Sequence, residues 1–105
     1  MTNKMISESV RQFFGGYFHE DWALDAEDWQ MSVDDFTVGE TSAQLLSLAH
    51  QIDEIRAAYR EDELGEVMYR DALCSFYPGP LTYHEWLDQV AHRLRERAAD
   101  VEREP

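Results

Sequence analysis

Four histidines, one cysteine and several adjacent acids are the side chains of this 105-residue chain that could do chemistry. His84-Glu85-Trp86-Leu87-Asp88 approaches the helical zinc-protease pattern, but Asp88 stands where the second histidine must lie. His84 and His92 are eight apart and share a helical face only loosely. His19, Glu20 and Asp21 are consecutive, so a regular helix cannot turn all three toward one ion. Zinc needs three or four spaced ligands, so solvated or satisfied histidines are expected and no metal is assigned. Asp34-Asp35 and the pair Asp25 and Asp28 offer oxygens, yet a calcium loop also needs a central glycine, which residues 25–30 lack. Cys74, beside Ser75 and Phe76, has no cationic helper and reads as a small buried hydrophobe. Gly15-Gly16 is not followed by the Gly-Lys-Ser/Thr of a phosphate loop. The residues assign no catalytic group and no cofactor, and a small metal-dependent enzyme using His19, His84 or His92 is the weakest of the readings.

Charge says more. Nine Lys+Arg against 22 Asp+Glu leave a formal charge of −13, which repels nucleic acid and anionic membranes and attracts basic partners. The distribution is uneven. Between Gln12 and Ile55 there is no lysine or arginine, while Glu20, Asp21, Asp25, Glu27, Asp28, Asp34, Asp35, Glu40, Asp53 and Glu54 all fall there. Ten acids with no cation among them cannot be neutralised within that stretch, and their repulsion opposes folding. A basic protein partner that offsets this cost is preferred over a merely solvated face.

The elements that must position these groups read as helices. Val10, Phe13, Phe14 and Tyr17 mark one face of a helix over residues 6–18, with Ser7 as its N-cap. Gly15-Gly16 is costly inside it, so either the helix ends there or another backbone packs close. A short helix is expected over 25–31, with Trp22 and Trp29 to one side, then a loop over 32–39 anchored by Phe36. Thr41 and Gln44 have capping-box spacing, and Leu45, Leu48, Ala49, Ile52, Ile55 and Tyr59 hold the apolar period that follows. A wetter helix covers 61–73, with Leu64, Val67 and Met68 inward. Tyr77-Pro78-Gly79-Pro80 is a turn. Thr82 and Glu85 form a second capping box, opening a last helix with Trp86, Leu87, Val90, Ala91, Leu94 and Val101 inward and a tail rich in arginine. No stretch alternates as a strand does. The expectation is an all-α, single-domain bundle of four to five helices over residues 1–105, with 1–4 and 102–105 frayed. A lone cysteine forms no intramolecular disulfide, no run approaches the roughly 18–20 apolar residues of a membrane span, and residues 1–8 lack the order of a signal peptide. A cytoplasmic location is therefore expected.

Phe13-Phe14-Gly15-Gly16-Tyr17-Phe18-His19-Glu20-Asp21-Trp22 resembles the N-terminal signature of the CdiI-like immunity proteins of contact-dependent growth inhibition and related bacterial polymorphic toxin systems. The resemblance extends over about residues 10–94, through the acidic stretch, the central amphipathic helix, the Pro/Gly turn and the Trp86-Leu87 pair. Glu20 departs from it, at a position where glutamine is expected. The resemblance implies a non-catalytic protein that binds one cognate toxin C-terminal domain, often a nuclease, and blocks its active site or an exosite. It makes the ten-residue block and Trp86 structural: aromatics for the core, Gly15-Gly16 for close packing.

Nucleases carry basic surfaces for phosphate, so the charge argument and the resemblance converge on one-to-one capture of a basic toxin by Glu20, Asp21, Asp25, Glu27, Asp28, Asp34, Asp35 and Glu40. Trp29, Tyr59 and Tyr83 are the candidate aromatic anchors. An acidic adaptor or nucleic-acid mimic that binds another basic protein is the alternative. Neither reading involves direct contact with nucleic acid or membrane.

Overall fold

A computed structural model describes residues 6–21, 23 and 26–103. The order of helices among these residues is α1 (Glu8–Tyr17), α2 (Trp29–Thr37), α3 (Ser42–Ala58), α4 (Glu61–Arg70) and α5 (Tyr83–Arg103), and no strand occurs among them. The chain is all-α.

Local chemistry sets the helix starts. Ser7 caps α1 by accepting from the Val10 N–H at 3.2 Å. Thr41 and Gln44 form the expected reciprocal box, with the Gln44 N–H donating to Thr41 Oγ1 at 3.1 Å and the Thr41 N–H to Gln44 Oε1 at 2.9 Å. Thr82 and Glu85 do the same for α5, at 3.0 and 2.8 Å. The start of α5 has a further acceptor. The Glu61 carboxylate, in the first turn of α4, accepts from the Tyr83 and His84 N–H groups at 2.7 and 2.9 Å. One carboxylate thus lies at the positive ends of two helices, where negative charge is favoured.

Helix α2 corrects the expected boundaries. Asp28, not a residue near 25, caps it, accepting from the Met31 N–H at 2.8 Å, and the helix runs on to Thr37 through what reads as a loop. Asp34, Asp35 and Thr37 are weak helix formers, which hid it. Tertiary packing overrides them: Val33 is fully buried, Ser32 and Thr37 nearly so, and Phe36 meets Phe13 edge-on at 4.7 Å. Trp22, Leu24 and Asp25 lie outside the described residues. At the other end, α5 continues through Glu102 and Arg103, two of the residues expected to fray, and Ser42 donates to Glu102.

The long helices α3 and α5 form the main packed pair. Leu45, Leu48, Ala49, Ile52 and Ile55 present one buried stripe, and Trp86, Leu87, Val90, Ala91, Leu94 and Ala98 the other. Trp86 sits at the hub of the aromatic core, with Phe76, Phe18, Phe14 and Trp29 at 4.9, 5.3, 5.7 and 6.2 Å. Its fully buried Nε1–H has no hydrogen-bond partner among the described residues, a cost accepted for the central ring.

The two glycines of α1 behave differently. The helix does not end at them. A Cβ on Gly15 would lie 3.2 Å from Leu73 Cβ, so the chain after α4 approaches there as the sequence implies; a Cβ on Gly16 would meet nothing within 4 Å.

Candidate functional site

The structure redistributes the acids that the sequence groups together. Asp34 is neutralised from a distance of 59 residues: Arg93 of α5 donates to it through both Nε and Nη2, at 2.9 and 2.7 Å. That fork is the strong form of a carboxylate bond, and it raises the Arg93 guanidinium above its ordinary value despite partial burial. Asp53 is held likewise by Arg95 and Arg56, at 2.5 and 3.2 Å. Burial pushes its carboxyl up, but the two guanidiniums outweigh this and leave it below the usual value. Asp34 and Asp53 thus find their cations outside the arginine-free stretch: Arg93 and Arg95 of α5 fold back onto them, and Arg56 joins at Asp53. Asp28 is occupied as the α2 cap.

Five of the eight acids named for the surface stay outside this network. Glu20, Asp21, Glu27, Asp35 and Glu40 have no lysine, arginine or histidine within ion-pair distance among the described residues. Glu20, Asp21, Glu27 and Asp35 are exposed and Glu40 partly so. Every described arginine is already engaged, Arg11 with the Asp71 carbonyl and the rest with carboxylates. On α2, Glu27, Met31, Asp35 and Val38 recur at helical spacing along its approach and outer side, with Met31 44% and Val38 77% exposed. Sequence reasoning missed Met31 and Val38 because it ended a helix at Met31 and placed a loop over 32–39; their spacing to Asp35 was the available signal.

The proposed aromatic anchors lie less open than an anchor suggests. Trp29, Tyr59 and Tyr83 are all half-buried against the core, Trp29 edge-on to Trp86 and Tyr83 lying over Gly65. Burial raises the Tyr83 hydroxyl above its ordinary value, with smaller contributions from Cys74, Tyr77 and Glu61. Of the signature block, Phe13, Phe14 and Phe18 are fully buried, as is Trp86, while Tyr17 sits at the rim against Phe36 and Gly16, Glu20 and Asp21 are exposed. His19 is half-buried, its Nδ1 accepting from the Asp21 N–H at 3.0 Å.

Among the described residues, the remaining reactive groups Cys74 and His84 are taken up by the fold. Cys74 is buried, and burial pushes its thiol up to about 12, which suppresses the thiolate. Among the described residues no three His, Cys, Asp or Glu side chains converge as a metal site. His84 is tied into the fold, with Nε2 2.9 and 3.0 Å from the Tyr59 and Arg56 carbonyls. A groove of about 270 Å³ between α2 and α5, lined by Trp29, Gln30, Asp88, His92 and Arg93 among others, brings no nucleophile beside a base. No described helix is long and apolar enough to cross a membrane.

The family model described as "CdiI immunity protein" matches residues 7–94. No curated protein and no solved structure matches the chain.

Proposed function

The chain belongs to the CdiI immunity protein family, and from that premise we propose that it binds and neutralises a cognate, basic, nuclease-type toxin domain, one to one, in the cytoplasm. The binding surface is the acidic one: Glu20, Asp21, Glu27, Asp35 and Glu40, with Asp25 continuing the same stretch of sequence. The protein acts by occupation and performs no catalysis of its own.

The observation that carries this reading is the exclusion of those five acids from the arginine network. A carboxylate with no cation beside it repels its neighbours, and a basic partner removes that repulsion while gaining an electrostatically steered encounter. Asp28 and Asp34 have structural duties and contribute less to recognition. The same acids would suit an adaptor for another basic protein; membership of the family favours a toxin.

The test is paired growth and pull-down. The C-terminal domain encoded by the gene immediately upstream is expressed with and without this chain. The expected result is killing by that domain alone, with rescue and co-purification when this chain is present. An upstream domain that is harmless, or that does not bind, overturns the reading. Replacing Glu20, Asp21, Glu27, Asp35 and Glu40 with Lys should slow association and weaken its salt dependence. Capture as fast as the parent's would refute the acidic surface and leave immunity standing.

A further inference from the structure

Three of the seven large hydrophobic side chains exposed among the described residues, Tyr69 (67%), Leu73 (52%) and Tyr77 (76%), fall within nine residues at the end of α4 and just beyond it. They are more open than the candidate anchors Trp29, Tyr59 and Tyr83. Gly65 and Tyr69 are four apart, on a side of α4 distinct from the inward Leu64, Val67 and Met68, and Leu73 follows beyond the end of the helix at Arg70. Tyr83 covers Gly65, with a ring carbon 3.4 Å from where a Cβ would stand, and Tyr77 meets Tyr83 edge-on at 6.4 Å. Tyr69, Arg70, Leu73 and Ser75 line one open hollow of about 410 Å³, with the Arg70 guanidinium paired to Glu66 and Asp71.

Leu73 adds a second observation. Its φ of 62° lies in the left-handed region, where a side chain costs conformational energy and glycine is the usual solution. The chain accepts that cost and displays an apolar side chain in water. A left-handed backbone over-determined by its surroundings is a recurrent mark of a recognition site. Here the surroundings are Gly15 on one side and, on the other, the Cys74 N–H bound to the Met68 carbonyl at 2.8 Å.

The border of this patch is acidic. The Ser75 N–H donates to the Phe18 carbonyl at 2.7 Å, which lays the segment leading to Glu20 and Asp21 alongside the patch. On and beside α4, Arg60 pairs with Asp62 and Glu63, Arg70 with Glu66 and Asp71, and Glu61 with the start of α5, so five acids against two arginines leave the border with a net negative charge. Electron-rich tyrosine faces inside a ring of carboxylates complement a surface of arginine and lysine, which can stack on the rings while being neutralised at the rim.

We propose that Tyr69, Leu73 and Tyr77 form the apolar anchor of the toxin interface, gripping a cationic segment of the cognate toxin domain; this rests on the immunity reading above. The acidic residues of the 20–40 stretch then govern encounter, and the tyrosine patch governs residence.

The two roles separate kinetically. Dissociation of the upstream-encoded toxin domain is measured by surface plasmon resonance for the parent, Tyr69→Ala, Tyr77→Ala and Leu73→Gly, with Leu46→Ala on α3 as an exposed apolar control. Leu73→Gly suits the left-handed backbone, so its fold persists, as circular dichroism would verify. At least tenfold faster dissociation is expected for Tyr69→Ala and Leu73→Gly, with no change for Leu46→Ala. Dissociation at the parent rate by the patch variants, while the parent binds tightly, overturns the anchor and leaves the immunity reading intact. A parent that does not bind the domain overturns both. If the free chain sediments as a dimer that Tyr69→Ala disperses, the patch is a self-association surface and the toxin assignment falls.

Discussion

The adjacent glycines of α1 offer a paired test of whether close packing or helix propensity decides a substitution. Gly16 lies inside the helix, and a Cβ there meets nothing within 4 Å. Gly16→Ala therefore gains the propensity difference, about 0.8–1 kcal/mol, with no opposing contact. For a domain of roughly 100 residues, 1 kcal/mol moves the melting temperature by about 4–8 °C, so a rise of about 4–6 °C is expected. Gly15→Ala gains the same propensity, but its Cβ would lie 3.2 Å from Leu73 Cβ and 3.4 Å from Leu73 Cδ1. Carbon pairs are most favourable near 3.5–4.0 Å, so Leu73 must withdraw by a few tenths of an ångström. A Cβ cannot withdraw without its backbone, and this backbone is held left-handed and hydrogen-bonded at Cys74. Overpacking of this kind costs about 1–3 kcal/mol, which cancels or exceeds the gain. Gly15→Ala is thus expected to leave the melting temperature unchanged or lower it. Thermal melts of the two variants, followed by circular dichroism at 222 nm, decide it. Equal stabilisation by both would refute the claim that Gly15 exists for the approach of Leu73.

Cys74 should resist a disulfide reagent at pH 8 in the native protein and react at the rate of unfolding, since its thiol is buried and pushed up to about 12; immediate titration of the native protein would contradict its burial. Asp53 has a carboxyl held below its ordinary value, so its ion pairs contribute stability that is present above about pH 4 and lost as pH falls through the folded value. Asp53→Asn should therefore cost about 1 kcal/mol at pH 7, and the difference from the parent should shrink as pH falls below about 4, as urea midpoints taken across that range would reveal. Glu61→Ala removes acceptors from two N–H groups of α5 and should cost about 2 kcal/mol, against about 1 kcal/mol for Thr82→Ala, which removes one; the reverse order in denaturant unfolding would show that the Glu61 bridge is not what caps α5.

Where a pattern is local, the sequence expresses it directly. The boxes at Thr41 and Thr82 need only residues three apart, and the stripes of α3 and α5 need only helical spacing, so both ends and faces of these helices are readable. Helix α2 is not, because what makes it helical is tertiary: Val33 buried, Phe36 against Phe13, and Asp34 drawn to Arg93 across the bundle. The candidate site divides in the same way. An arginine-free stretch is visible as a sequence fact, but which of its acids are free depends on partners 42 and 59 residues away. Tyr69 is exposed on α4, and its four-residue spacing from Gly65 separates it from the inward Leu64, Val67 and Met68, whereas the exposure of Leu73 and Tyr77 follows from the chain leaving the helix at Arg70, which no local spacing marks.

The arginine tail of α5 shows how the fold and the acidic surface depend on one another. Of these arginines only Arg103 stands in the last turn, where the helix dipole favours a cation; Arg93, Arg95 and Arg97 lie further in. The structure gives each of these three a partner: Asp34 on α2, Asp53 on α3, and the Thr37 hydroxyl together with Asp100. These contacts clamp α2 and α3 onto α5 with the few cations the chain possesses. A chain with as many arginines as acids could clamp its helices and neutralise its surface at once. With nine against 22 it cannot do both. Arg93, Arg95 and Arg97 sit at helix-to-helix contacts and Arg60, Arg70 and Arg103 pair locally, so Glu20, Asp21, Glu27, Asp35 and Glu40 keep their field outward. Adding a lysine beside them would therefore leave the bundle intact while removing the feature that the proposed function assigns to capture of a basic partner.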